Sequence, residues 1–249
     1  GDTSAAAAIV SGVAALMLDA NPALTWRDVQ HILAETATLN DPLNDYWRVN
    51  RSGYPLSMLY GFGRVDAGAA TALAAGWANV PGDLSVSTGD IPLGQAIPDD
   101  GTAVTSSVAV DDALVIEHVE VRVDIDHASP GDLTIALTAP SGTVSELMTL
   151  RAPETYANNP DFGWDGYDDL TMMSVHHWAE HSAGSWQLSV RDERGNAVSG
   201  VINDWSLTLH GMVAAANDVT PTVITTMPFT DSVNTITATR IAADSVTPP

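Results

Sequence analysis

Residues Leu114–Asp126, LVIEHVEVRVDID, alternate apolar and polar side chains along most of their length. A period of two is typical of a β-strand with one buried face and one solvated face. Similar short runs follow at Asp132–Thr138 (DLTIALT), Trp186–Val190 (WQLSV) and Trp205–His210 (WSLTLH), with Gly, Pro, Asn and Asp between them. Several strands at this spacing, with almost no helical pattern between them, predict an antiparallel β-sandwich over residues 84–212.

The regions on either side of this β-rich stretch have a different composition. Residues 1–80 are rich in alanine, which predicts helices. Residues 213–249 are rich in Thr, Val, Ala and Pro, and their apolar residues are isolated, which is typical of a linker or tail. The chain is therefore expected to contain a helical region, a β-sandwich and a terminal linker.

The charge of the chain limits its partners. There are 31 acidic residues against 9 basic ones, which gives a net charge of −22. Such a surface repels phosphate groups, so nucleic acids and anionic membranes are disfavoured as partners. The absence of cysteine excludes disulfides and thiol catalysis. The longest apolar stretch, Ala5–Leu18, is short for a membrane span, and none is predicted.

Ser4 stands directly before that apolar stretch. A helix that is apolar on nearly every face must be buried in a larger body. Its N-terminus would give a serine unpaired backbone N–H groups and the positive end of the helix dipole, which suit a nucleophile whose attack creates an oxyanion. Serine is also a common N-cap residue. These residues alone leave both roles open, and capping is the more common one.

The wider pattern around Ser4 resembles a known family. Thr3–Ala7 (TSAAA) and Val10–Leu16 (VSGVAAL) are similar to the signature around the serine of subtilisin-family proteases. Asn21–His31 (NPALTWRDVQH), Trp47–Asn50 (WRVN) and Leu59–Ala67 (LYGFGRVDA) resemble the end of the catalytic domain in the kexin and furin subgroup, where a final helix begins near Val65–Ala67. Thr25 and Asp28 also predict a capping box at the start of the second helix. That α/β subtilisin domain would continue upstream of the helical remnant seen here.

The β-rich region carries a second resemblance, to the P domain (Homo B) of the same proteases. In that family the P domain is a jelly-roll-like sandwich that packs on the protease domain and stabilises it. A kexin-like protease tail followed by a P domain is also the family's own domain order. The similar segments are Gly131–Ile135, Ala139–Thr143, Met172–Glu180, Gly184–Leu188, Val190–Asp192 and Gly200–Leu207.

The two resemblances imply the C-terminal part of a secreted or cell-surface serine endopeptidase, of bacterial origin, that cleaves polypeptides. Ser4 would be the nucleophile. A serine hydroxyl needs a histidine base oriented by a carboxylate, and in subtilisins both precede the serine. The chain is therefore expected to need the upstream part of its own protease domain and to be inactive alone. The alternative is a non-catalytic, secreted β-sandwich that serves in binding or adhesion.

The chain departs from the family pattern at three positions. Asp2 stands where the family has glycine, which either disfavours activity or marks a longer loop. Ala8 replaces a proline early in the helix, where the change is expected to be harmless. Ala179 replaces the glycine of a Trp-Gly-Glu motif in the P domain.

Two groups of residues suggest metal sites. Asp161, Asp165 and Asp168 lie with Asp169 in a loop rich in glycine and aromatic residues. Loop carboxylates are ligands that calcium prefers, but the spacing is not that of an EF-hand. A solvated acidic loop is therefore favoured over a calcium site.

His177 and His181 have the four-residue interval of helical zinc ligands. They lack the H-E-x-x-H pattern and overlap the P-domain motif, so a structural role is favoured over a zinc site. His31, in the predicted second helix, is also interpreted as a surface or packing residue and not as the missing base.

The tryptophans of the β-rich region suggest a carbohydrate-binding platform as another possibility. Trp178, Trp186 and Trp205 coincide with framework positions of the P domain, so core packing is the better interpretation for them. Trp164 has no such match.

Overall fold

The computed structural model describes residues 3–151, 166–214, 225–230 and 235–239. The chain divides into two compact units, one of residues 1–82 with 221–249 and one of residues 83–220. The domain limits expected from composition, 1–80, 84–212 and 213–249, remain predictions.

The first unit is mainly helical, as its alanine-rich composition predicts. Its helices are α1 (Thr3–Ala20), α2 (Trp26–Thr36) and α3 (Ala67–Ala74). Between α2 and α3, the short strands β1 (Trp47–Val49) and β2 (Pro55–Ser57) form an antiparallel pair that composition did not reveal.

Local capping determines where two of these helices begin. Thr25 and Asp28 form a capping box at the start of α2, because each side chain bonds to the backbone N–H of the other. The Asp66 side chain accepts a hydrogen bond of 2.9 Å from the backbone N–H of Ala69 and caps α3. The capping box and a final helix starting near residues 65–67, both expected from the sequence, are confirmed.

The core of the first unit is small. It consists of Val13, Met17, Leu24, Ile32, Ala70 and Ala74. Only two residues of α1, Val13 and Met17, are buried, and they lie one turn apart on a single stripe.

The rest of α1 is apolar but exposed among the described residues. Ile9 is 61% exposed, Leu16 53% and Leu18 42%. The sequence predicts that this helix is buried in a larger body, but among the described residues most of its apolar side chains are exposed to solvent. Its 18 residues are also long and apolar enough to cross a membrane, a property that core helices and signal sequences share.

The second unit contains two antiparallel sheets. Its strands are β3 (Leu84–Ser87), β4 (Ile91–Ile97), β5 (Val104–Val110), β6 (Leu114–His127), β7 (Leu133–Thr138), β8 (Val144–Met148), β9 (Gly166–Ser174), β10 (Gly184–Asp192) and β11 (Gly200–Val213). One sheet has the order β5-β10-β7-β8. The other has the order β3-β11-β6-β9, with β4 also paired to β11.

The two sheets enclose one apolar core. Along β6, Val119, Val121 and Val123 are fully buried, whereas the alternating His118 and Glu120 are only partly buried. The period of two that predicts the sandwich therefore also predicts which face of this strand meets the core.

Three tryptophans of the second unit are buried, and two of them, Trp186 and Trp205, belong to this core. Trp186 and Trp205 are fully buried, and Trp178 is 3% exposed. The Trp186 indole N–H donates to the Ser182 carbonyl at 2.8 Å, and that of Trp205 donates to Ser106 Oγ at 2.9 Å. The expectation that these tryptophans are packing residues is confirmed. Trp164 lies outside the described residues.

Two further strands lie within the stretch expected to be a linker. They are β12 (Thr225–Thr230) and β13 (Thr235–Thr239), which pair with each other antiparallel.

Candidate active site

Ser4 is the second residue of α1 and is exposed. It therefore lies inside the first turn of the helix and not at the N-cap position, a role that the sequence left open. The positive end of the helix dipole lies at this turn, and the turn contains no acidic side chain that would neutralise it. The position provides the positive field that an oxyanion at Ser4 would need.

The C-terminal half of α1, away from Ser4, packs in the core of the first unit. Val13 and Met17 pack in the core formed with α2 and α3. In the N-terminal half, the exposed Ser11 hydroxyl donates a hydrogen bond of 2.9 Å to the Ala7 carbonyl, one turn earlier in the same helix.

Asp28 fixes the start of α2 to the segment that follows α3. Its carboxylate accepts hydrogen bonds from the Thr25 backbone N–H (2.7 Å) and hydroxyl (2.6 Å). It also accepts from the Trp77 indole (3.0 Å), the Asn79 amide (2.9 Å) and the Val80 backbone N–H (2.7 Å). This side chain is fully buried, so each of these donors replaces lost water.

The same contacts control the charge of Asp28. Burial acts to raise the pKa of the carboxyl group, but the hydrogen bonds from Thr25, Val80 and Trp77 outweigh it and hold the pKa below its usual value. Asp28 is therefore a structural carboxylate that stays ionised, and none of its contacts involves Ser4.

His31 is the one histidine in residues 1–82. It lies in α2, is 9% exposed, and its ring centroid is 6.5 Å from that of Trp77. Of the surface and packing roles expected for His31, this environment supports packing.

The acidic loop suspected of binding calcium is described only at its end. Asp161 and Asp165 lie outside the described residues. Asp168 is exposed near the start of β9. Its neighbour Asp169 is paired with Arg122, which also bonds Asp90 at 2.6 Å. Asp169 is thus paired with the Arg122 guanidinium, whereas Asp168 is exposed to solvent.

Arg122 is the centre of that charge cluster. Besides Asp90 and Asp169, it bonds Asp204 of β11 at 2.5 Å. Hydrogen bonding to Asp204 raises the pKa of Arg122 further above its usual value. One guanidinium thus balances carboxylates from β9, β11 and the β3–β4 connection, as its several donors allow.

His177 and His181 do not form a helical metal pair. His177 lies in a turn after β9, is fully buried, and meets the Trp186 ring edge-on at 5.0 Å. His181 instead forms an isolated bridge with Val115. The nearby Glu180 carboxylate accepts bonds from the hydroxyls of Ser141 (2.6 Å) and Thr143. The structural interpretation of this segment is supported.

The sequence did not reveal that His118 and His210 lie next to each other in the second unit. His118 and His210 lie in runs far apart in the chain, and only the pairing of β6 with β11 brings them together. Their strand pattern placed each on the solvated face, but the register between the strands could not be read from the sequence.

Comparisons with known proteins match both units separately. Residues 1–63 match the subtilase family, and residues 116–209 match the proprotein convertase P-domain. The rat proprotein convertase subtilisin/kexin type 6 (Rattus norvegicus) is 40% identical over 222 residues, which are 84% of this chain and 23% of that protein. Neuroendocrine convertase 2 of Drosophila melanogaster is 36% identical over 220 residues, which are 84% of this chain and 33% of that protein.

A solved structure has the same fold. The serine protease of Aeromonas sobria superimposes with a TM-score of 0.74 at 26% identity, covering 81% of this chain and 42% of that chain. The chain spans less than half the length of each of these relatives.

The class of protein follows from these matches: the chain joins the end of a subtilisin-like serine protease domain to a P domain. More narrowly, it belongs to the kexin-like proprotein convertase group of the subtilase family, as the resemblance in its sequence indicated.

Proposed function

We propose that this chain is part of a secreted, kexin-like serine endopeptidase that hydrolyses peptide bonds, with Ser4 as its nucleophile. The observation that carries the proposal is the family match over residues 1–63, which contains the Ser4 motif and is followed by a matching P domain. The exposed position of Ser4 in the first turn of α1 supports it.

The P domain would stabilise the catalytic domain, with the jelly-roll-like connectivity of its family. The exposed apolar surface of α1 supports the expected need for further protease domain around this helix. That upstream part would supply the aspartate and histidine of the triad. Without them the Ser4 hydroxyl has no base to activate it, and we expect the chain alone to be inactive.

The test is active-site labelling of the protein completed with its upstream coding region. A fluorophosphonate should label the wild type at Ser4, and Ser4→Ala should remove the label and lower peptidase activity by about 10⁴-fold or more. The free energy of unfolding should change by about 0.5 kcal/mol or less, because Ser4 is an exposed residue inside the helix. Ser11→Ala is the matched control in the same helix and should keep both label and activity.

The outcomes separate the two functions. If the completed wild type has no triad motifs upstream, takes no label and cleaves no peptide, the protease proposal fails. The binding or adhesion module then becomes the better description. Loss of activity in Ser11→Ala to the same extent would show that the helix, and not the Ser4 hydroxyl, is required.

We also propose that calcium binds at the acidic loop through Asp161, Asp165 and Asp168. Millimolar calcium should then raise the Tm of the chain by mass action, and the double variant Asp165→Asn, Asp168→Asn should remove the increase. Asp111→Asn changes an exposed carboxylate elsewhere on the same unit and serves as the control. An equal Tm with calcium and with chelator would leave a solvated acidic loop.

A further inference from the structure

Two histidines face each other across the central strands of the larger sheet. His118 of β6 lies directly opposite His210 of β11 in the antiparallel register. Their rings are stacked, with centroids 4.3 Å apart and planes at 6°. Glu120 lies two residues after His118 and therefore on the same face, since Val119 between them points into the core.

His210 has an unsatisfied ring nitrogen. Its Nε2 atom is buried and has no hydrogen-bond partner, and the carboxylate oxygen Oε2 of Glu120 lies 3.6 Å away, beyond hydrogen-bonding distance. A buried polar atom without a partner costs free energy, which a ligand at this position would recover. This atom is the observation that points to a missing ligand.

His118 also favours the neutral form, which is the form of histidine that binds metals. Burial lowers the pKa of His118, and the neighbouring His210 lowers it further. A dication between these residues would attract the lone pairs of both imidazoles and the Glu120 carboxylate.

We propose that His118, Glu120 and His210 form a binding site for one transition-metal dication, with Zn²⁺ as the best fit to two imidazoles and a carboxylate. One ligand atom from each residue lies within 4.8 Å of the others. Zinc ligands at about 2.0–2.1 Å from the metal are about 3.3 Å apart in a tetrahedron, so small movements close the site. Rotation about the soft χ2 torsion of the rings aims both nitrogens at one point.

The site consists of residues of the second unit only and does not depend on the proposed protease activity. Its ligands come from β6 and β11, which pair from Gly200 opposite His127 to Val213 opposite Leu114. A metal here would join the two central strands of the sheet and leave a coordination position open to water or to a partner's side chain.

The experiment is a zinc titration of the full 249-residue chain, without a histidine tag, followed by calorimetry. Millimolar Mg²⁺ is present throughout, because a chain with a net charge of −22 also collects dications on its surface carboxylates. We expect one zinc per chain and a Tm that rises with zinc. His118→Gln and His210→Gln should each weaken binding by about 100-fold or more, since even outer partners of metal ligands cost 10- to 100-fold.

Matched variants distinguish this site from zinc binding elsewhere on the chain. His181→Gln removes a histidine of the same unit outside the cluster and should leave zinc binding unchanged. Circular dichroism establishes that the variants are folded, and Glu120→Gln provides a ligand change without loss of an imidazole. Co²⁺ in place of zinc should give visible d–d absorption in the wild type that His210→Gln lacks.

Three results would overturn the proposal. Zinc affinity that is unchanged in both His118→Gln and His210→Gln would place the metal elsewhere. Zinc binding that is seen only when Mg²⁺ is left out would reflect surface carboxylates. No zinc binding by the folded wild type would leave the two histidines as a stacked cross-strand pair. None of these results depends on peptide hydrolysis, so failure here is distinguishable from failure of the proposed function.

Discussion

Ala179 has a backbone conformation that glycine adopts more easily. Its φ is +60°, in the left-handed region, between Trp178 and Glu180. Its N–H donates to the Ile116 carbonyl at 2.7 Å, which holds the turn against β6. The sequence showed that alanine replaces the glycine of the family motif here, and the backbone angle now gives the physical reason for glycine at this position.

Replacing this alanine should stabilise the second unit. Ala179→Gly relieves the left-handed strain and loses part of that gain to the flexibility of the unfolded chain, so the free energy of unfolding should rise by about 0.5–1 kcal/mol. Urea unfolding measures it. Ala109→Gly, at an exposed position of β5, is the control and should lower stability by about 0.5–1 kcal/mol. A loss of stability in Ala179→Gly would show that its methyl group contributes more than the strain costs.

Asp28 shows how one side chain joins two elements of the first unit. The sequence predicted its capping box, because the Thr25–Asp28 spacing is local. It did not predict the donors Trp77, Asn79 and Val80, since these are about fifty residues away and depend on how α3 is placed. Local signals thus predicted where α2 begins but not what its first turn is bonded to.

The lowered pKa of Asp28 gives this junction a defined pH dependence. A carboxyl group whose pKa is lower in the folded state contributes stability that is fully present above its unfolded value, 3.8, and lost as pH falls through the folded value. The indole N–H resonance of Trp77 should therefore titrate with a midpoint below 3.8. Asp28→Asn should abolish this titration. A midpoint at or above 3.8 would contradict the hydrogen-bonding account.

At the scale of the whole molecule, the two units differ in how complete their cores are. The second unit has its own core, which includes both fully buried tryptophans, Trp186 and Trp205. Among the described residues, the core cluster of the first unit has six buried members, and most residues of its apolar helix α1 are exposed. Burial of apolar surface is the main favourable term in folding, so the two units should not be equally stable alone.

Expressing the units separately tests this difference. Residues 84–212 should show a cooperative thermal transition, whereas residues 1–80 should not. Differential scanning calorimetry of each piece measures it. A cooperative transition for residues 1–80 in isolation would contradict the expectation, as would its absence for residues 84–212.

Sequence periodicity predicted most of the sandwich but little of its polar detail. Along β6 the alternation identified the buried valines, because a strand's two faces follow from spacing alone. The stack of His118 on His210 and the cluster around Arg122 needed the register between strands, which is set by the whole fold. The Ser4 motif was recognisable by resemblance, since the residues that would complete its chemistry are remote from it.

The long pairing of β6 with β11 has a consequence for amide hydrogen exchange. Both strands are paired on both sides: β6 lies between β11 and β9, and β11 lies between β6 and the strands β3 and β4. By contrast, β8 lies at an edge of the other sheet. Amides of interior strands exchange only when the surrounding structure opens, and those at edges exchange through local fraying. Deuterium should therefore enter β8 first, and the middle of β6, around Val121, should be the last part of the sandwich to exchange.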